Sequence, residues 1–322
     1  MPTEFLTLEQ ITAEYGRVET LVSPLDWHPH AALPLGRVTD DTEQTLALVK
    51  VYLRDGRMSA EATAQAMLDW AAAQAEHLDL YLGPSTRRAL KALRAGASPR
   101  ESGRGGKTNG AAMRVAPVGI VNTGHMDGAL RDAVEACLPT HGTTLAISGA
   151  AAVACAIAEA MRDEATLDSV LEVAAEGAVR GRQYGAWVWT PPLERRIALA
   201  LQLVRQAESE AGALHALHDY VGVDLTVTES IPTAFGLVTL AEGDPVRAVC
   251  YAANLGGDTD TIGAMAGAVC GALRGIDAVD GAMLAQVERV NELDLESVAR
   301  GLVAVGQTRQ ATGKPIGSRG QQ

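Results

Sequence analysis

The chain has 322 residues with 27 basic and 39 acidic side chains, a formal net charge of −12. That length accommodates one large domain or two, and 47% hydrophobic with 20% charged residues gives a packed core rather than a disordered chain. The acid excess argues against duplex nucleic acid or an anionic membrane as the main partner, and 4% aromatic residues argue against a stacking platform for bases.

The four cysteines, Cys137, Cys155, Cys250 and Cys270, lie far apart and form neither a CxxC pair nor a disulfide framework. Cys155 and Cys270 sit in Ala/Gly-rich apolar runs and read as small buried thiols. No leader-like opening and no apolar run of ~18 residues is evident, so the expected location is the cytoplasm.

Alanine-rich stretches with helical rather than alternating periodicity dominate, which predicts an all-α fold. The first 38 residues are less regular, with Pro24, Pro29 and Pro34 in a loop. Asp26, His28 and His30 in that loop read as loop chemistry, because no further ligand lies nearby in sequence. Helices are predicted over 41–54, 59–77, 84–95, 127–137, 143–162, 167–178 and 194–211. They continue over 213–221, 229–241, 245–252, 260–273, 278–290 and 295–305, and residues 306–322 are expected to be a flexible tail. Residues 1–305 are read as a single domain.

Two segments carry unusual oxygen chemistry. Val38-Thr39-Asp40-Asp41-Thr42-Glu43 and Asn254-Leu255-Gly256-Gly257-Asp258-Thr259-Asp260-Thr261 each stand just before an apolar helical run. Either one alone reads as an ordinary helix start: Asp and Thr cap well, acids suit the first turn, and Asp40 with Glu43 fits a capping box. A cap needs a single short acceptor, whereas each segment supplies three hard oxygens. Four carboxylates brought together would repel unless cations lay among them, and oxygen-only ligands favour magnesium, calcium or manganese over zinc. After the second segment, Gly263, Gly267 and Gly271 alternate with Ala264, Ala268 and Ala272, a surface on which another backbone can approach closely.

Between these segments, Ser102-Gly103-Arg104-Gly105-Gly106-Lys107-Thr108-Asn109-Gly110 contains Gly-Lys-Thr. The phosphate-loop pattern fails because Glu101 stands where its first glycine belongs and a helix precedes it. A flexible connection or a backbone cradle for a pyrophosphate both remain open. His141 before a long helix reads as a cap or loop histidine, and His215 with His218 as a solvated helix edge. Tyr184, Trp187 and Trp189 before Pro191-Pro192 read as a packed corner.

TDDT, TNGAAMR, THG before an alanine-rich helix, ESIPTAF and NLGGDTDTIGAMAGA follow one another in an order that resembles the ADP-ribosylglycohydrolase family. The resemblance runs from Met1 to about Val305, with GGDTDT its most specific element. It implies an all-α orthogonal helix bundle around a binuclear metal site holding two Mg2+ ions, or Mn2+ in some members. The implied metal ligands are Thr39, Asp40, Asp41, Asp258, Asp260 and Thr261. Glu4 in Pro2-Thr3-Glu4-Phe5 matches the glutamate that follows the family's Gly-Asp-Ala-x-Gly helix. That helix has no counterpart in this sequence, which leads to the expectation of Glu4 on a loose terminus.

By the same resemblance Glu4, Asp41 and Asp258 are the catalytic candidates, and Gly83, Gly105, Gly106, Lys107, Asn109 and His141 the substrate-binding ones. Ser230 and Ile231 would wall the adenine side. The implied activity is hydrolysis at C1 of ADP-ribose, free or carried by a protein or small molecule. Smaller nucleoside-like glycosides on the same site, or a non-catalytic ADP-ribose-binding member, are the alternatives.

Overall fold

The structure is a computed structural model in which residues 1–74 and 82–312 are described. The last part of the predicted helix 59–77 and residues 313–322 of the predicted tail lie outside the described residues. Among those described there is no strand, only two isolated bridges, Thr108 with Thr226 and Thr143 with Ala186. The expected all-α class is observed.

At the centre lies α7 (Thr144–Ala160), buried over nearly its whole circumference. An alanine-rich sequence explains both properties, since alanine favours the helix and leaves no polar face to solvate. Small side chains also let neighbours approach, and α8 (Leu167–Gly181) uses this most. A Cβ on Gly177 would lie 2.7 Å from the Ala151 carbonyl oxygen of α7, so only glycine permits that contact. Around this pair pack α5 (Ala116–Val121), α6 (Met126–His141), α9 (Leu193–Gln206) and α11 (Val227–Leu240). Thr143 caps α7 by accepting the Ala146 N–H, and Thr166 opens α8 with a capping box.

The other helices complete the bundle: α1 (Leu8–Tyr15), α2 (Asp40–Asp55), α3 (Ala60–Ala73) and α4 (Pro84–Arg94) before the centre, α10 (Glu210–Ala216) within it, and α12 (Pro245–Ala253), α13 (Thr259–Arg274), α14 (Gly281–Asn291) and α15 (Leu295–Thr312) after it. Two of these, α1 and α5, were not foreseen; each is short, and a short apolar run carries little periodic signal. The predicted 194–211 helix is divided, because Ser209 caps a new helix by accepting the Gly212 N–H. Both α2 and α13 contact α5 and each other, which brings their N-termini to one place.

The predicted tail begins too early. Helix α15 continues to Thr312, with Gly306 buried against the Val121 carbonyl and Arg309 reaching Asp132. Asp132 Oδ2 accepts from Tyr52 Oη at 2.7 Å, Asn122 Nδ2 at 3.1 Å and Arg309 Nη1 at 2.6 Å. One buried carboxylate thus ties α2, α6 and α15 together. Asp132→Ala strands a guanidinium and a buried phenol, and is expected to cost about 3 kcal/mol. Urea unfolding checks this, and a change below about 0.5 kcal/mol contradicts it.

Candidate active site

Helix α2 starts at Asp40 and α13 at Thr259, so Thr39 and Asp258 occupy the cap positions. Neither side chain makes a capping hydrogen bond. Instead Thr39 Oγ1 donates to Asp41 Oδ2 at 3.1 Å and lies 3.4 Å from Asp260 Oδ2, on the other segment. Glu43, expected to complete a capping box, accepts from Trp70 Nε1 at 3.0 Å and pairs with Arg37 at 3.1 Å. The ordinary reading of these segments as caps therefore fails. Their oxygens turn toward each other.

The loop before α13 owes its path to Gly256 and Gly257, both at positive φ, where a side chain is strained. A Cβ on Gly257 would also meet the Val223 carbonyl oxygen at 2.5 Å. Two backbone bonds, Phe5 N–H to Gly257 O at 2.9 Å and Gly257 N–H to Leu6 O at 3.0 Å, fasten the first residues to this loop. Thr3 Oγ1 meets Thr259 Oγ1 at 3.1 Å, and Leu6, Ile11 and Val18 form a small core beside Ala253. Glu4 is consequently not on a loose end. It sits next to the cluster, and one oxygen each from Glu4, Asp258 and Asp260 lie within 4.8 Å of one another.

Five carboxylates, Glu4, Asp40, Asp41, Asp258 and Asp260, now share one region, and their charges interact. Burial, with Asp260 as the next cause, pushes Asp41 up to about 7. Burial also raises Glu4 and Asp258 well above the carboxylate range, again with Asp260 second, and raises Asp40 with Asp41 second. Asp41 Oδ1 is buried without a hydrogen-bond donor among the described residues. The cluster is fitted for a cation, which would complete that oxygen and offset the repulsion.

A cleft of about 540 Å3 opens over the cluster. Glu4, Thr39, Asp40, Asp258, Asp260 and Thr261 face it, and among the described residues no Lys or Arg does. A second, mostly apolar hollow of about 390 Å3 adjoins Thr39, Asp41 and Asp260 on another side, along Gly263, Ala264, Gly267 and Ala268. Asn109 Nδ2 donates to Asp258 Oδ2 at 2.5 Å, and Thr108, Gly110 and Gly83 also reach the cleft. Gly83 lies at the N-terminus of α4, where free N–H groups favour anions.

Other sequence-selected residues stand apart. Gly105 packs on Arg88, which donates to its carbonyl, and Lys107 points to solvent. Gly106 is buried, and a Cβ there would meet the Thr140 carbonyl oxygen at 2.5 Å. Gly106 serves close packing, and none of Gly105, Gly106 and Lys107 lines the cleft. Fully buried His141 accepts or donates between Thr108 Oγ1 at 3.0 Å and Thr140 Oγ1 at 2.8 Å, behind Gly110. Burial, then Arg114, holds its pKa well below the histidine range, so it is a neutral prop under the loop. Ser230 and Ile231 are buried in α11 and do not line the cleft either.

Arg114 links the two halves of the site. Its Nη1 donates to Gln44 Oε1 at 2.8 Å, and Gln44 Nε2 donates to Asp40 Oδ2 at 2.9 Å. Its Nη2 donates to Thr140 Oγ1 at 2.6 Å, beside His141. Burial lowers this guanidinium to about 10, so it stays charged at neutral pH. Residues missed by sequence reasoning include His30, Phe5, Thr86 and the Val223–Leu225 stretch, all facing the cleft.

The model of the ADP-ribosylglycohydrolase family matches residues 1–312. An uncharacterized protein, YegU, from Escherichia coli is 36% identical over 317 residues, spanning 97% of this chain and 94% of that one. ADP-ribosylhydrolase ARH3 from Homo sapiens is 29% identical over 234 residues, 66% of this chain and 62% of its own. A solved ADP-ribosylglycohydrolase-related protein complex has a chain that superposes with a TM-score of 0.69 at 26% identity, covering 95% of this chain and 92% of that chain.

Stability should report the charge cluster directly. With Asp41 at about 7 in the folded state against 3.8 as its ordinary value, the cation-free fold keeps a proton that the unfolded chain has released. Stability from this group is therefore lost as pH rises between those values. In chelator the melting temperature should fall by several degrees from about pH 5 to about pH 8, and a divalent cation should abolish or reverse that fall. A chelated protein whose melting temperature climbs across the range contradicts the assignment.

Proposed function

Because this chain belongs to the ADP-ribosylglycohydrolase family, and is with it a glycosidic hydrolase, we propose that it cleaves the bond at C1 of an ADP-ribose unit using two divalent cations. The observation that supports this most is the buried Asp41 Oδ1, without a hydrogen-bond donor among the described residues, next to Thr39 and Asp40 of a cleft floored by carboxylates and lined by no described Lys or Arg. Thr39, Asp40, Asp41, Asp258, Asp260 and Thr261 are the proposed ligands, with Mg2+ or Mn2+ as the ions. A divalent ion at such a site supplies positive charge for oxygen anions and lowers the pKa of water.

The chain's own groups do the rest. Glu4, tied beside Asp258 and Asp260, orients the attacking water and takes its proton. The substituent departs with the bonding pair and gains a proton from solvent, leaving positive charge on the ribose ring that the surrounding carboxylates stabilise. Asn109 is held by Asp258, so its position is set by the same cluster that sets the scissile end. Gly83, at the start of α4, with Thr108 and Gly110 offer backbone N–H groups for the diphosphate, in a cleft that presents no described Lys or Arg. A volume of about 540 Å3 falls in the usual range for ligand clefts.

Asp258→Ala and Asp260→Ala should each lower release of ADP-ribose from an ADP-ribosylated peptide by about 1,000-fold. Each should also remove the thermal stabilisation given by Mn2+. Full turnover in either variant would refute the proposal.

A further inference from the structure

His28 and His30 stand in a tight turn series: His28 N–H to Leu25 O, Ala31 N–H to His28 O and Leu33 N–H to His30 O, all at 2.9 Å. Both rings are buried, 3% and 2% exposed, and two polar rings are costly to enclose without partners. Their partner is Glu4. His28 Nε2 meets the Glu4 carbonyl oxygen at 2.7 Å, and that oxygen can only accept. The other nitrogen, Nδ1, accepts the His30 backbone N–H at 3.1 Å. Both bonds form only when His28 is neutral with its proton on Nε2, so its tautomer is fixed.

His30 Nε2 then lies 2.9 Å from Glu4 Oε2. The two rings are 5.2 Å apart, and the Phe5 ring stacks over both, at 6.5 Å from His28 and 6.2 Å from His30. Glu4 is thus gripped at its carbonyl by one imidazole and at its carboxylate by the next. A free glutamate has three rotatable bonds and would sample many positions over the cleft. The contact with His30 restricts that sampling.

We propose that His30, steadied by His28, is a positioning residue that holds one oxygen of Glu4 and so keeps the carboxylate aimed at Asp258 and Asp260. The role deepens the hydrolase reading above and rests on Glu4 being its working carboxylate. Groups that orient a metal-site carboxylate typically change affinity or activity 10–100-fold when removed. His30→Gln keeps an N–H donor near the Nε2 position, whereas His30→Leu removes it.

The test is a double-mutant cycle in the full chain with His30→Leu, His30→Gln, Glu4→Gln and the Glu4→Gln/His30→Leu pair. With an ADP-ribosylated peptide, His30→Leu should lower kcat about 10–100-fold with little change in KM. His30→Gln should stay within about fivefold of wild type, and the pair should be no slower than Glu4→Gln alone. Mn2+ titration calorimetry repeats the cycle without turnover: Glu4→Gln and His30→Leu should each weaken binding about tenfold, and the pair no further. Losses that multiply in the pair, or His30→Gln as impaired as His30→Leu, overturn the proposal. If His30→Leu does not fold, His30→Met takes its place in the cycle. A wild type that binds Mn2+ but cleaves nothing counts against the hydrolase reading alone, and the calorimetric cycle then decides this one. A wild type that does neither overturns both.

Discussion

Repulsion among like charges in a poorly solvated space governs this molecule. Asp41 and Asp260 belong to segments more than 200 residues apart, yet one threonine hydroxyl, that of Thr39, bridges the distance between them. Bringing such groups together costs free energy that the hydrogen bonds from Thr39, Gln44 and Asn109 offset only in part, because the cleft lining contains no described Lys or Arg. Among the described residues the one buried Lys or Arg close by, Arg114, reaches Asp40 through Gln44. The fold therefore holds its acids in a state that calls for an external positive charge; burial first, then the neighbouring carboxylates, raises the pKa values of Glu4, Asp40, Asp41 and Asp258.

What keeps the acids there is packing elsewhere. The almost wholly buried α7 and its glycine contacts with α8 make a rigid centre, and α5 gives α2 and α13 a common surface. Close-packed interiors deform little, so the helix starts cannot drift apart to relieve the repulsion. The tie between residues 5–6 and Gly257 adds Glu4 from a third direction, and Asn109 adds the cleft wall. Each contact is local in space and remote in sequence.

That remoteness decides how much could be read from the sequence. The all-α class was legible because alanine content and helical periodicity are local properties. The two acid segments were legible because three oxygen ligands at one helix start exceed what capping requires. Glu4 came only from family resemblance, and its fastening was not foreseen, since Gly257 lies some 250 residues away. His28 and His30 were read as loop chemistry, because their partner Glu4 is 24 and 26 residues distant and no periodicity announces it. The glycine at 106 misled in the opposite sense. A glycine needed where backbones crowd looks the same in sequence as a glycine needed to cradle a phosphate. Helix ends were least legible, as the extension of α15 to Thr312 illustrates, because the contact of Gly306 with Val121 that continues it is tertiary.

The most direct measurement is anomalous X-ray diffraction from crystals soaked in Mn2+ near neutral pH. The account predicts strong anomalous density between the start of α2 and the start of α13, within coordination distance of Asp41 and Asp260, with Asp41 Oδ1 taking up its missing partner. A well-ordered cluster that stays free of anomalous density at saturating Mn2+ would contradict it.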